Sequence, residues 1–470
     1  MTDQEVVQAL VRRARAAQQQ YEEYTQEQVD EVVTSVAWVG YKKENAEALA
    51  RLSVEETGIG NYEDKVAKIR RKTLGAMRDL RGAKSVGVIE VDEARGITQI
   101  AKPMGVVAAI LPVTNPAATA VNNIMITLKG RNAVILAPHP KGERTCAEVL
   151  RLVHQEMAKL RAPLDLAQYL SLKAADKAAS KARSQELMRQ VDFVLVTAGP
   201  ANVRAAYSSG TPAYGVALGN VPVIVDASAN IPDAVQKIVV SKTFDYATSC
   251  SSENALMIEA SVYEAVLKGL QAHGGYLVTP EEKPRLQEAM WKDGALNRAI
   301  VAQPARVIAE LAGLKKREAL ESKLLIVEEE GIGKEFPFSG EKLSVVLTVY
   351  KFTHFDEALD KVNRILAYMG LGHSCGIQSR NEKHIQRLAE SAKVARVLVN
   401  QAHCFGNGGS FDNGLEFTLS MGGGTWAKNS TWDNISYKQF LNITRLSCVI
   451  PARVPSEDEL WGEYLKRYGG

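Results

Sequence analysis

Cysteine is the side chain most ready to act as a nucleophile near neutral pH, and the chain holds five. Cys146 falls in a helical pattern and Cys375 in an apolar strand, where both read as core fillers. Cys404 lies in a glycine-rich stretch and Cys448 near the end of the chain. Cys250 follows FDYATS and precedes SSEN, a polar stretch just ahead of the apolar run ALMIE. A thiol in a polar loop between apolar elements is better placed to react than a buried one, so Cys250 ranks first of the five. His373, in GLGHS, opens a strand after a glycine turn and is either a base or a structural histidine. Glu341, in GEKLS, precedes a strand and is either functional or plain surface charge. Gly199-Pro200 sits at a strand-to-helix junction, where helix amides could face a phosphate. Neither GxGxxG nor GxxxxGK[ST] occurs, so the usual sequence mark of a dinucleotide or nucleoside triphosphate is missing. No CxxC or Cys/His cluster has zinc-site spacing, and no metal is expected.

Elements of two kinds must position these residues. The first eighty residues read as helices, with Val6, Val7, Leu10, Val11 and Ala14 at helical spacing and the pattern repeated from Gln26 to Gly40. The first of these is read as part of the fold rather than as a docking peptide. SVGVIEV and GITQIA, joined by Asp92-Glu93-Ala94-Arg95-Gly96, read as a hairpin projecting as an assembly arm. From Val106 strands alternate with helices: VVAAILP, AVILAP and DFVLVTAG are strands, and Gly142 to Met157 is a helix. Such alternation implies a parallel sheet covered on both faces, with ligands at the carboxyl ends of its strands. The segments to watch are therefore Val113 to Pro116, Pro138 to Lys141 and Thr197 to Val203. A second α/β series follows PVIVDAS, with ALMIE, KLLIVEE, LSVVLTVY, SCGIQS and RVLVN as strands. It closes on FGNGGSFDNGL and MGGGTW, and FLNITRL is the last strand candidate.

Composition narrows the class. The chain has 470 residues, 46% hydrophobic and 24% charged, which excludes a disordered or fibrous protein. Lys+Arg 57 against Asp+Glu 54 gives a net +3, with no long basic run, so neither nucleic acid nor a membrane surface is an expected partner. Few cysteines fit a reducing compartment. The N-terminus lacks the pattern of a secretory signal, and nothing approaches the ~18 apolar residues of a membrane span. A soluble cytoplasmic location is expected.

The order TNP, TAGP, FDYATSC, EKLS, GLGHS, GGGTW resembles the CoA-acylating aldehyde dehydrogenases. The likeness runs nearly end to end, through ETGIGNYEDKV, ILAPHPK, RAAYSSGTPAYGV, GNVPVIVD and KNSTWDNISYKQFLNITR. KTFDYATSCSSEN with NGGSFDNGLEFTLSMGGGTW is most similar to the acylating sulfoacetaldehyde dehydrogenases, and then to the acylating succinate-semialdehyde dehydrogenases. The resemblance implies an aldehyde dehydrogenase-like α/β fold with two Rossmann-type domains and a hairpin oligomerisation arm. The cofactor-binding domain would span 1–84 and 103–225, the catalytic domain 226–430, and the arm and tail 85–102 and 431–470. It implies Cys250 as nucleophile, Asn115 as oxyanion donor and His373 near the thioester. Thr114, Thr197, Gly199 and Gly219 would line NAD or NADP, with Pro138, His139 and Lys141 by the adenosine ribose and Glu341 on the nicotinamide ribose. Coenzyme A is the implied co-substrate, and a homodimer or homotetramer the implied assembly, its hairpin and the strand Phe440 to Leu446 pairing across subunits. An aldehyde carrying an anion would need donors, for which Thr248, Ser249, His403 and Asn407 are the candidates.

One departure bears on the reaction. Hydrolytic members of the wider family carry a glutamate base in ELGGKxP, and the matching stretch here is Val216-Ala217-Leu218-Gly219-Asn220-Val221-Pro222. Valine cannot accept a proton. Water needs a base within hydrogen-bond reach, whereas a thiol is already partly thiolate, so the change disfavours hydrolysis more than thiolysis. Val345 in place of the proline of EKLSP, Tyr246 to Ser249 after Phe244-Asp245, and GGGTW for GCGSW cluster around the presumed aldehyde pocket. Sulfoacetaldehyde is the first expected substrate, then succinate semialdehyde, then small uncharged aldehydes such as acetaldehyde. A hydrolytic enzyme and a non-catalytic assembly protein are the readings from other classes.

Overall fold

The helical periodicity of the first eighty residues becomes four helices, Asp3–Glu22, Gln26–Tyr41, Lys43–Thr57 and Tyr62–Leu80, in the computed structural model, which describes residues 2–172 and 176–469. Thr2 and Thr25 open the first two with capping boxes, each satisfying otherwise orphaned amides. Their apolar stripes join one core with a five-stranded sheet. That sheet runs Ala167–Tyr169, Ala133–Ala137, Val106–Ile110, Phe193–Val196, Ala213–Gly215, every neighbour parallel. Its inner strands VVAAI and AVILA are buried at every residue, as a sheet covered on both faces requires.

A second, seven-stranded parallel sheet runs Gly275–Leu277, Leu324–Glu328, Val346–Phe352, Glu253–Glu259, Val221–Val225, Gly372–Gln378, Val394–Val399. The strand Val221–Val225 therefore belongs to this sheet, and the division expected after residue 225 is corrected to the link 216–220. The link is too short for a crossover, and two parallel neighbours in one sheet need a dozen or more residues between them. The far boundary is also less simple than expected. Phe417, Ile435 and Phe440 pack into the core of the first sheet.

The hairpin Gly87–Asp92 and Ile97–Pro103 forms as expected. Its third strand, Leu441–Ser447, pairs antiparallel to Ile97–Pro103 within the same chain, from Leu441 opposite Pro103 to Ser447 opposite Ile97, so this pairing is not one across subunits. Beyond it the helix Glu457–Tyr468 leaves Trp461, Tyr464 and Tyr468 exposed. Among the described residues no helix is long and apolar enough to cross a membrane.

Candidate active site

The loop that presents Cys250 is held in an unusual conformation. After the helix Ile231–Thr243, three successive non-glycine residues are left-handed: Asp245 (φ 50°), Tyr246 (φ 50°) and Ala247 (φ 58°). Each such residue costs roughly 1–2 kcal/mol, so the turn needs an anchor. Asp245, fully buried, is that anchor. Its Oδ1 accepts the Asn61 amide at 2.9 Å, and its Oδ2 accepts Lys65 Nζ at 3.1 Å, Lys68 Nζ at 2.5 Å and Thr248 Oγ1 at 2.7 Å. Its own amide donates to Asp64 Oδ2 at 2.7 Å. Burial opposes ionisation of Asp245, but the two ammonium groups outweigh it and keep the carboxyl below its usual range. Gly60 (φ 76°) is required alongside, because a Cβ there would stand 1.9 Å from Asp245 Oδ1.

Cys250 then meets its partners. His373 Nε2 lies 3.3 Å from Cys250 Sγ, and His373 Nδ1 lies 2.7 Å from Ser374 Oγ. Burial, with Arg396 nearby, holds the imidazole well below its usual pKa, so it is neutral at pH 7. The tautomer that lets Nε2 accept the thiol proton carries its hydrogen on Nδ1, where Ser374 Oγ can receive it. Arg396 fixes the backbone here, Nη2 donating to His373 O at 3.0 Å and Gly422 O at 2.6 Å. Burial pushes the Cys250 thiol up to about 11, and the carboxylate of Glu341 adds to that. Cys250 nonetheless keeps part of its surface accessible. Gly219 packs directly against it, since a Cβ there would lie 2.2 Å from Cys250 O.

Asn115 heads the helix Pro116–Lys129 yet does not cap it. An asparagine at this position ordinarily accepts a first-turn amide. Its Oδ1 instead accepts Lys68 Nζ at 2.8 Å, leaving Nδ2, among the described residues, with only a 3.4 Å contact to Thr114 Oγ1. Lys68 thus ties Asn115 to the anchor of the Cys250 loop. Glu341, half-buried, is pushed up to about 8 by burial. Its neighbour Lys342 holds that loop, Nζ donating to the carbonyls of Phe338, Gly340 and Asn254 at 2.7, 3.1 and 3.1 Å.

Six of the eight cofactor candidates, Thr114, Pro138, His139, Lys141, Thr197 and Gly199, follow strands of the first sheet, and Gly219 and Glu341 precede strands of the second. Gly199 precedes the helix Pro200–Tyr207 in open space, with nothing within 4 Å of a Cβ built there. Thr197 Oγ1 meets Ser420 Oγ, a contact from the first sheet to the glycine-rich segment. Pro138 is buried, whereas His139 and Lys141 are exposed, with His139 Nδ1 accepting the Lys141 amide at 3.1 Å. An exposed helix start with space before it and a cation on the next loop suits a dinucleotide.

The substrate candidates divide. Thr248 is buried and spent on Asp245 and Lys68. His403 is buried with its ring nitrogens on Ser251 O at 2.9 Å and Cys375 O at 3.3 Å, and burial pulls it down to about 4. Each already has internal partners in the interior. Asn407, fully buried, donates to Ser251 Oγ at 2.9 Å. Ser249 remains partly exposed beside Cys250. Sequence reasoning missed Lys65, Lys68 and Lys342. The available signal was that Lys65 and Lys68 share a face of their helix with the buried Ile69, Thr73, Ala76 and Leu80.

A sequence model described as the aldehyde dehydrogenase family matches residues 1–282. The sulfoacetaldehyde dehydrogenase (acylating) of Cupriavidus necator is 51% identical over 465 residues, covering 99% of this chain and 93% of the relative. An acetylating aldehyde dehydrogenase from Geobacillus thermoglucosidasius has the same fold, with a TM-score of 0.91 and 38% identity over 97% of this chain and 98% of its own. A propionaldehyde dehydrogenase from Rhodopseudomonas palustris, solved with bound CoA and an acylated cysteine, gives a TM-score of 0.82 and 26% identity over 94% of this chain and 97% of its own.

Proposed function

The chain belongs to the aldehyde dehydrogenase family and, within it, to the CoA-acylating enzymes, and on that premise we propose that it converts sulfoacetaldehyde to its CoA thioester through an acyl group carried on Cys250. It is an acylating aldehyde dehydrogenase, turning aldehyde, CoA and NAD(P)+ into acyl-CoA and NAD(P)H. The observation that carries the chemistry is the 3.3 Å approach of His373 Nε2 to Cys250 Sγ. Support for the substrate is the 51% identity to an acylating sulfoacetaldehyde dehydrogenase.

Cys250 Sγ forms a bond to the aldehyde carbon, and its proton passes to His373 Nε2. With the thiol raised and the imidazole lowered, a free proton transfer is uphill, so it accompanies C–S bond formation. The carbonyl oxygen gains the charge and is met by Asn115 Nδ2 and the Cys250 amide; one such donor is worth roughly 3–4 kcal/mol. Lys68 orients the Asn115 amide by holding its oxygen. Bound NAD(P)+ supplies the two-electron acceptor for the C–H bond of the adduct. The acyl group stays on Cys250 as a thioester, and His373 releases its proton to solvent. The CoA thiol then loses its proton to His373 and attacks the thioester carbon. Cys250 leaves and takes that proton back, and one proton is released overall. Val216 offers no base to water, so the thioester waits for the thiol.

Thr197 and Gly199 would hold the cofactor pyrophosphate, and Pro138 and His139 the adenosine ribose. Lys141 is suited to a ribose 2′-phosphate. Thr114, Gly219 and Glu341 would border the nicotinamide end. The working form is a homodimer or homotetramer, a reading supported by Val88, Val91, Leu446, Trp461 and Tyr464, apolar side chains left uncovered on the three-stranded arm and tail.

The test is product analysis by mass spectrometry alongside steady-state kinetics, with sulfoacetaldehyde, succinate semialdehyde and acetaldehyde. A CoA thioester forming only when CoA is present, with the highest kcat/KM for sulfoacetaldehyde, is expected. Free acid without CoA, or equal turnover of acetaldehyde, would reject the proposal.

A further inference from the structure

We propose that Lys72 is the counter-ion of the aldehyde's anionic end, and so the residue that makes the enzyme favour a sulfonate-bearing aldehyde over a neutral one. This rests on the reading of the Cys250 cleft as the aldehyde site.

The helix Tyr62–Leu80 carries Lys65, Lys68 and Lys72 along one face, turned toward the Cys250 loop and the glycine-rich segment. The first two share Asp245. Lys72, one turn further on, is different. Among the described residues its amine makes one hydrogen bond, to Gly408 O at 2.6 Å, and no ion pair. An ammonium has three donors, so two are left. The amine also lies 5.4 Å from the Phe417 ring centroid. The next residue back, Arg71, adds charge without cancelling any. It donates to Ser410 Oγ at 2.9 Å and lies over the rings of Phe405 and Phe411, also with no ion pair among the described residues.

The position suits the task. Lys72 is close enough to the thiols of Cys404 and Cys250 to interact with both electrostatically. It keeps some accessible surface although protein surrounds it, as Cys250 does. A Cβ on Gly408 would stand 2.8 Å from Lys72 Nζ and 3.8 Å from Met421 Sδ, and that sulfur accepts from Asn407 Nδ2 at 3.3 Å and contacts Ser251 Oγ at 3.9 Å, beside the nucleophile. In sulfoacetaldehyde one methylene separates the carbonyl carbon from the sulfonate, so the anion must be met near the reacting carbon. A desolvated cation without a carboxylate is unfavourable until an anion joins it. Burial, with Arg71 and Lys68 nearby, pulls Lys72 down to about 7, and an entering sulfonate reverses that pull.

The competing role for Lys72 is to pin the glycine-rich segment through Gly408. Steady-state kinetics separate the two, with sulfoacetaldehyde and acetaldehyde at saturating CoA and NAD(P)+, on wild type, Lys72→Gln and Lys72→Arg. Losing one partner of a desolvated charge pair lowers affinity roughly 30-fold or more. The ratio of kcat/KM for sulfoacetaldehyde over acetaldehyde should fall by that factor in Lys72→Gln, mainly through KM, and recover in part in Lys72→Arg. A ratio equal to that of wild type, whether both substrates decline together or neither does, would overturn the proposal. If wild type itself favours acetaldehyde while Lys72→Gln still lowers the ratio, the substrate reading fails and the role of Lys72 stands. Should Lys72→Gln not fold, Lys72→Arg decides alone, because moving the charge outward must shift the ratio.

Discussion

The two sheets offer the cleft opposite ends. The five-stranded sheet presents the carboxyl ends of its strands, where 113–116, 138–141 and 197–199 bring four glycines and prolines together with Asn115, His139, Lys141 and Thr197. The seven-stranded sheet presents the amino ends. Gly219 precedes Val221–Val225, Cys250 precedes Glu253–Glu259, Glu341 precedes Val346–Phe352, and His373 is the second residue of Gly372–Gln378. The carboxyl edge of a parallel sheet collects helix N-termini, which favour phosphates. The amino edge collects helix C-termini, whose negative end disfavours a thiolate. That agrees with a Cys250 thiol pushed up to about 11. Of the cations near Cys250, Lys72 comes from a separate helix, Tyr62–Leu80, outside both sheets, and Arg396 from the strand Val394–Val399 of the second. The first edge offers helix starts and Asn115, and the second offers Cys250 and His373.

The contrast is tested most severely at the nucleophile. Cys250→Ser should lower acyl-CoA formation on the order of 10⁴-fold while NAD(P)H binding, followed by fluorescence, is retained. Comparable loss of cofactor binding would mean that the two edges are not separable. Two glycines give the next comparison. Gly219→Ala forces a Cβ against the Cys250 carbonyl and should reduce kcat about 100-fold, since small misplacements of reacting groups have effects of that size. Gly199→Ala meets no protein atom within 4 Å but faces the proposed pyrophosphate, so it should raise the KM for NAD(P)+ while changing kcat by less than about threefold. Equal effects at the two sites would erase the distinction. The gentlest test is alkylation of Cys250 by iodoacetamide, read by peptide mass spectrometry in the ligand-free enzyme. A raised pKa leaves the thiol protonated at pH 7, so the rate should climb about tenfold per pH unit past the ~8.5 of an ordinary thiol, toward 11. A plateau near 8.5 would show that the cleft does not desolvate the sulfur.

Much of this was legible in residue order. The alternation of buried strands and helices announced two α/β units, and the polar loop around Cys250 set it apart from Cys146 and Cys375, which the structure buries. The limits are equally specific. Thr248 and His403 looked like free donors because a polar residue beside a nucleophile carries no mark of what it already bonds. Lys65, Lys68 and Lys72 drew no reading from the sequence, since nothing local sets a buried lysine apart from a solvated one. What distinguishes them is Asp245, 180 residues away from Lys65, and for Lys72 the lack of any such partner among the described residues. The same distance hid the membership of Val221–Val225, whose flanking link had to be measured against the reach of a crossover.

Residue types and their periodicity determined which segments are strands, that Cys146 and Cys375 lie inside the cores, and that position 216 cannot hold a base, because these follow from local chemistry and burial along one chain. Only the folded chain decided that Cys250 meets His373 and that Asn115 turns from its helix toward Lys68. It also decided which lysine keeps a carboxylate and which is left for a ligand. Those outcomes depend on groups far apart in sequence sharing one dry cleft, where the cost of an unpaired charge is set by what else is packed there.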